Sequence, residues 1–159
     1  VNLCTASIAS FVASRFEETV SHIVILAFLM SIVAGIGGNS GNQTMTMIIR
    51  AMAVGRISGA NAWQLVRREA SVTLLVGLCG SIITAGFARF ISGSWAIAAV
   101  MMIAMIGNML IGATLGVLIP ILRSRFGKDP AMGSSVLLTF ATDTLGFFLF
   151  LGLASVFLL

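Results

Sequence analysis

The sequence predicts an all-α membrane protein, a bundle of five transmembrane helices of which the first is incomplete. Three observations predict it. Of the 159 residues, 58% are hydrophobic and 9% charged, with a mean hydropathy of +1.11. A soluble domain carries about 25% charged residues, so this chain has too little charge to cover a water-facing surface. Apolar runs alternate with short charged links, and four of the runs reach the roughly 20 residues that cross a bilayer as a helix. There is no period-two alternation of a barrel strand, and a backbone in lipid must satisfy its own hydrogen bonds, so the runs are helices. The length suits one compact domain, 1–159.

The elements follow in order. The chain opens at Val1 without Met, and its first run, 1–14, is short. The expectation is the outer remainder of a first span in a segment cut from a longer protein. It has no charged leader, so it is not a signal peptide. Glu17 and Glu18 then fall in a solvated loop, where they could also concentrate cations, and His22 reads as an interfacial residue. The second span is 23–49, with an unusual polar middle. The third, 70–91, is marred only by Arg89 near its end. The fourth, 95–122, opens on Trp95, an aromatic anchor at the membrane interface. In it Gly112 and Gly116 form a GxxxG spacing one turn after Asn108, which reads as helix packing. The fifth is 132–159. Trp63 lies in the link before the third span, where a short amphipathic helix on the membrane surface is expected.

Charge orients the bundle. Arg50, Arg56, Arg67, Arg68, Arg123, Arg125 and Lys128 fall in the links on one side; Arg15 and Arg89 fall on the other. The positive-inside rule makes the first side cytoplasmic and leaves the C-terminus outside. The net charge of +4 therefore reflects topology and is no sign of nucleic-acid binding. Cys4 and Cys79 sit in apolar runs outside any CxxC or Cys/His cluster and read as small buried hydrophobes. No Ser–His–Asp, Walker or GxGxxG pattern points to an enzyme.

The informative residue is Asp143. It is a lone carboxylate inside the fifth span, with no Lys, Arg or His within ten positions on either side. A charge at the bilayer centre costs about 2.5–3.5 kcal/mol or more, so such residues face a cavity or a pathway. Thr139, Thr142, Asp143 and Gly146 share a helical face by their i, i+3, i+4, i+7 spacing. The second span carries Gly35-Ile36-Gly37-Gly38-Asn39-Ser40-Gly41-Asn42-Gln43-Thr44, in which Asn39, Asn42, Gln43 and Thr46 share a face in the same way. Gly35, Gly38 and Gly41 let another backbone come close. Gly-interrupted spans mark ion sites in transporters; equally, small residues and amides glue helices together. Counted from the cytoplasmic ends, at about 1.5 Å of rise per residue, Asn39–Asn42 and Asp143 reach one level. Two polar faces at one depth suggest one water-filled passage.

The donors on these faces are carboxylate, hydroxyl, amide and backbone oxygen, a set for hard cations. One carboxylate per chain is too few for a dry cage. Magnesium keeps several waters and binds through one or two carboxylates, which two chains about a two-fold axis would supply. A proton relay or sodium-coupled carrier would use Asp143 instead by titration. A non-transporting scaffold would use the polar residues only to join helices, but gains nothing from a carboxylate that an Asn would not give.

Gly37-Gly38-Asn39-Ser40-Gly41-Asn42-Gln43 with Ile48-Ile49-Arg50, and Lys128-Asp129-Pro130-Ala131 leading to Thr142-Asp143-Thr144-Leu145-Gly146, resemble the signature of the MgtE-type magnesium channels, in order and spacing from about Ile23 onward. The resemblance implies a homodimer of five-helix domains in a bacterial inner membrane, with a pore lined by the second and fifth helices of both chains. It implies that Asp143 holds hydrated Mg2+, the transported ion, helped by the Thr139 carbonyl one turn earlier. It also places Gly38, Asn39 and Asn42 in the pore wall, with Gln43, Thr142 and Gly146 along the same two faces. Glu69 and Asp129, the cytoplasmic-side acids, would share a second metal site at the pore mouth, or simply pair with neighbouring basic residues; Asp129 before Pro130 also suits a helix N-cap. Ser31 stands where family members often have Pro. The family's large cytoplasmic regulatory part, which normally precedes the first span, is absent from this sequence.

Overall fold

In the computed structural model, which describes residues 2–57 and 61–159, six α-helices follow one another: α1 Asn2–Ser14, α2 Glu17–His22, α3 Ile25–Ala53, α4 Ala62–Ser92, α5 Trp95–Arg125 and α6 Ser134–Leu158. There is no strand among the described residues. Helices α3, α4, α5 and α6 are long and apolar enough to cross a membrane, and α1 is apolar but only 13 residues long. The five expected runs are thus the five larger helices; of the first run, Val1 lies outside the described residues.

Helix ends differ from the apolar bounds. Hydropathy bounds the second span at residue 49, but α3 continues to Ala53; it begins the third at residue 70, but α4 starts at Ala62. Hydropathy marks only the part of a helix in lipid, whereas backbone hydrogen bonding runs on through good helix formers such as Arg50, Arg67 and Arg68. The 31 residues of α4 make a rod about 46 Å long against a hydrocarbon core of about 30 Å. Its first turn carries Trp63, so the expected surface helix is instead the protruding end of α4. The expected loop at Glu17 and Glu18 is also helical. Both acids sit in the first turn of α2 and His22 in its last, the arrangement the helix dipole favours.

Helix α5 is the hub. It packs on α3, α4 and α6 and buries Val100, Met101, Ala104, Met105, Asn108 and Met109 along most of its circumference. Leu26, Leu29 and Val33 of α3 and Phe150, Leu151 and Ala154 of α6 complete this core. A smaller cluster of Ile48, Val66, Val117 and Ile121 closes the other end. Helix α4 leans on α5 and turns Leu75, Ile82, Ile83, Phe87 and Phe90 outward, the face a lipid-bathed helix presents. At the α4–α5 turn Gly93 adopts a left-handed φ of 69°, and the Ser94 hydroxyl caps α5 by accepting from the Ile97 N–H at 3.4 Å. The Arg89 guanidinium lies 5.0 Å from the Trp95 ring centroid, so the two residues expected at one interface stack there.

The α3–α5 crossing is made of backbone. A Cβ on Gly41 would stand 2.8 Å from the Gly112 carbonyl oxygen, and one on Gly116 would stand 2.6 Å from that of Gly41. The expected packing role of Gly112 and Gly116 is met by a matching pair on α3, Gly37 and Gly41.

Candidate functional site

Polar side chains on α3 sort by face. Asn39, Gln43 and Thr46 are exposed and Asn42 is half-buried. With Met47 and Arg50 they line an open groove of about 620 Å³. Gly37, Gly38 and Gly41, on the opposite side, are buried. This division follows from helical periodicity: the glycines face α5 and α6, and the amides are left without cover from their own chain. The Thr46 hydroxyl donates to the Asn42 carbonyl at 2.8 Å.

On α6, Asp143 is half-buried and Thr139 exposed. Both line a groove of about 320 Å³ between α6 and α1, together with Ser135, Val136, Phe140, Thr5 and Ala6. Thr142 and Gly146, on the expected shared face, turn inward instead and are buried. The Thr142 hydroxyl donates to the carbonyls of Leu138 (3.0 Å) and Thr139 (3.1 Å). It also backs onto Gly38, whose Cβ would stand 3.3 Å away. Gly146 abuts Asn108. Of the eight pore and ion residues read from the sequence, Gly38 and Thr142 therefore pack α3 on α6, and Gly146 packs α6 on Asn108 of α5. Asn39, Asn42, Gln43, Thr139 and Asp143 reach open grooves.

Sequence reasoning missed Ser135 and read Asn108 only as part of a packing motif. Asn108 is fully buried; its Nδ2 donates to the Val33 carbonyl at 2.9 Å, and its Oδ1 has no partner among the described residues. It ties α3 to α5 and fills the space that Gly37 and Gly146 leave. Ser135 donates from its hydroxyl to the Asn42 Oδ1 at 2.8 Å, while the Asn42 Nδ2 donates to the Gly38 carbonyl at 3.0 Å. Ser135 also borders the Asp143 groove, so it is the link between the two polar regions. The available signal was the i, i+4, i+8 spacing of Ser135, Thr139 and Asp143.

These contacts fix the register of the antiparallel α3–α6 pair and correct the expected equal depth. Asn42 bonds Ser135, and Gly38 backs onto Thr142. By these two contacts Asp143 is about 8–12 Å farther along the helix axis than Asn42. Asn42 and Asp143 are therefore staggered along the helix pair, with Asn39 between them, instead of forming one ring.

The two cytoplasmic-side acids have separate surroundings. Glu69 lines a groove between α3 and α4 with Ser40, Gln43, Thr44 and Thr73. Asp129 is exposed in the α5–α6 turn, where its Oδ1 accepts from the Ala131 N–H at 2.8 Å and its carbonyl accepts from the Arg123 Nε at 3.1 Å. Asp129 is not the N-cap of α6, which starts later, after Gly133 in a left-handed conformation; it closes a local turn instead. No group of three or more His, Cys, Asp or Glu able to hold a metal occurs among the described residues. The donor set remains one carboxylate with amides, hydroxyls and carbonyls, which suits a cation that keeps most of its water.

Comparison with known proteins bears on this arrangement. Residues 30–153 match the family model MgtE, described as a divalent cation transporter. The chain is 28% identical over 151 residues to the magnesium transporter MgtE of Bacillus subtilis, covering 95% of this chain and 34% of that protein. It is 29% identical over 156 residues to the magnesium transporter MgtE of Thermus thermophilus, covering 98% and 34%. It is also 29% identical over 162 residues to the protein of that name in Enterococcus faecalis, covering 99% and 34%. The chain spans about a third of the length of these curated relatives.

Proposed function

The chain belongs to the MgtE family of divalent cation transporters, and from that premise we propose that it forms the membrane part of a magnesium channel working as a homodimer in a bacterial plasma membrane. One observation carries the reading. The amide face of α3 and the Asp143 face of α6 lie inside membrane-length helices, yet among the described residues both open onto grooves, the second flanked by α1. Polar side chains at that depth need water or protein. A second copy across a two-fold axis would enclose both faces in a wet passage and bring a second carboxylate to the ion.

In this reading Asp143 attracts the hydrated ion, and the Thr139 carbonyl accepts from its water shell. Asn39, Asn42 and Gln43 offer amide oxygens farther along the path, and Thr46 a hydroxyl. Gly38, Thr142 and Gly146 serve by letting α6 pack closely on α3 and α5 behind that wall. Glu69 and Asp129 each bring one carboxylate to a second cation position near the cytoplasmic mouth. The C-terminus of α6 is outside. The further two thirds of the relatives' length leave room for cytoplasmic regulatory domains.

The reading is tested by reconstituting the full-length protein in liposomes and following magnesium influx with an internal dye. Asp143→Asn preserves shape and hydrogen bonding but removes the charge. A pore loses influx; a scaffold or a site used only for packing keeps it.

A further inference from the structure

We infer that the cleft at the start of α4 is a phosphate-binding site, occupied by the headgroup of an anionic phospholipid. The cleft has a volume of about 150 Å³ and is lined by Arg56, Ile57, Asn61, Gln64, Leu65 and Arg68. Arg56 lies just beyond α3 and Arg68 in the second turn of α4, so the chain folds back to bring two guanidinium groups to one small space. Neither has a side-chain partner among the described residues, although Glu69 follows Arg68 directly. Asn61, at the N-cap position of α4, makes no side-chain capping bond, so its amide is free to meet a ligand. Two forked guanidiniums with two amides match the several acceptor oxygens of a phosphate.

The surroundings point to a lipid as the source. The cleft lies at the start of α4, ahead of the apolar stretch that begins near residue 70. Trp63, one turn before Arg67 and 77% exposed, is the side chain expected at headgroup level. Ile57 and Leu65 pack against the buried cluster of Ile48, Val66, Val117 and Ile121, so the cleft has an apolar floor on which the glycerol end of a lipid can rest. Basic pockets between transmembrane helices on the positively charged side hold anionic headgroups in this way. The inference does not depend on which ion is transported.

The test uses the full-length protein in detergent and measures thermal stabilisation and lipid retention by native mass spectrometry. Phosphatidylglycerol, phosphatidylcholine and inorganic phosphate are titrated separately. Arg56→Ala/Arg68→Ala is compared with Arg67→Ala/Lys128→Ala, which removes equal charge outside the cleft. The expected result is preferential binding of phosphatidylglycerol, weakened about 30-fold by the cleft pair and little by the control pair. If inorganic phosphate stabilises equally, and the cleft pair alone abolishes it, the phosphate site stands and its source is a soluble anion. Equal losses in the two pairs, or none in either, overturn the site.

Discussion

The Ser135 hydroxyl and the Asn42 side-chain oxygen are joined by a hydrogen bond of 2.8 Å across 93 residues of sequence. That bond fixes how far α6 is slid along α3. It places Asn42 about 8–12 Å from the level of Asp143, so in the proposed pore an ion leaving the carboxylate would meet the Asn42 amide afterwards. Ser135→Ala is expected to cost about 0.6 kcal/mol, the average for a hydrogen bond between membrane helices, and to change conduction more than stability. Thermal unfolding and liposome influx, measured together, check this. A conduction rate equal to that of the wild type removes Ser135 from the path.

Asp143→Ala is expected to abolish magnesium-dependent growth of a transport-deficient strain at normal membrane levels. Asp143 supplies the carboxylate of its groove, and no other side chain lining that groove is charged. Normal growth at normal expression ends the assignment of this groove to the ion.

Gly41 and Gly38 look alike in the sequence and separate in the structure. Gly41→Ala drives a Cβ to 2.8 Å from the Gly112 carbonyl oxygen. Backbone cannot rotate away, so the variant is expected to lose about 3 kcal/mol or more. Gly38→Ala meets only the Thr142 hydroxyl at 3.3 Å, which can shift, and should stay within about 1 kcal/mol of the wild type. Melting temperatures in detergent decide it; equal losses would place the close helix crossing elsewhere.

Asn108→Ala removes the bond to the Val33 carbonyl and opens a gap between Gly37 and Gly146. The expected loss is about 1–3 kcal/mol, with any ion selectivity measured in liposomes unchanged. Asn108→Asp is expected to be worse, because it places a second charge in a fully buried position. An Asp variant as stable as the Ala variant would mean that water reaches this junction.

If the ion crosses hydrated, protein oxygens stand about 4 Å from it, beyond the roughly 2.0–2.1 Å of direct magnesium bonds. Cobalt hexammine, whose ligands do not exchange, is then expected to bind and block. A high-resolution structure with magnesium that shows several direct bonds from one chain overturns the hydrated path and the need for a second copy.

Much of this was legible in the sequence, for definite reasons. Hydropathy identified the apolar runs, and helical spacing put Asn39, Asn42, Gln43 and Thr46 on one face. Gly112 and Gly116 announced a close crossing. Spacing within one helix is silent about register between two. For that reason Asn42 and Asp143 were expected at equal depth, Ser135 went unnoticed, and Thr142 and Gly146 were assigned with Asp143 although they turn inward. Asn108 was read only as part of a packing motif, because nothing local shows that its amide reaches Val33, 75 residues away. The turn at Asp129 and the helix at Glu17 involve polar residues whose local hydrogen bonds fit several backbone shapes.

The glycine seam between α3 and α5 also has a mechanical meaning. Where backbones touch, no side chain can change rotamer to take up a displacement, so these two helices must swing as a single lever. Helix α6 is different. It meets α3 through side chains, with the Ser135 hydroxyl on Asn42, Thr142 behind Gly38 and Phe150 in the shared core, and side chains can change rotamer as a helix shifts. In the proposed pore, widening or narrowing is therefore expected to come from α6 shifting against a stiff α3–α5 frame.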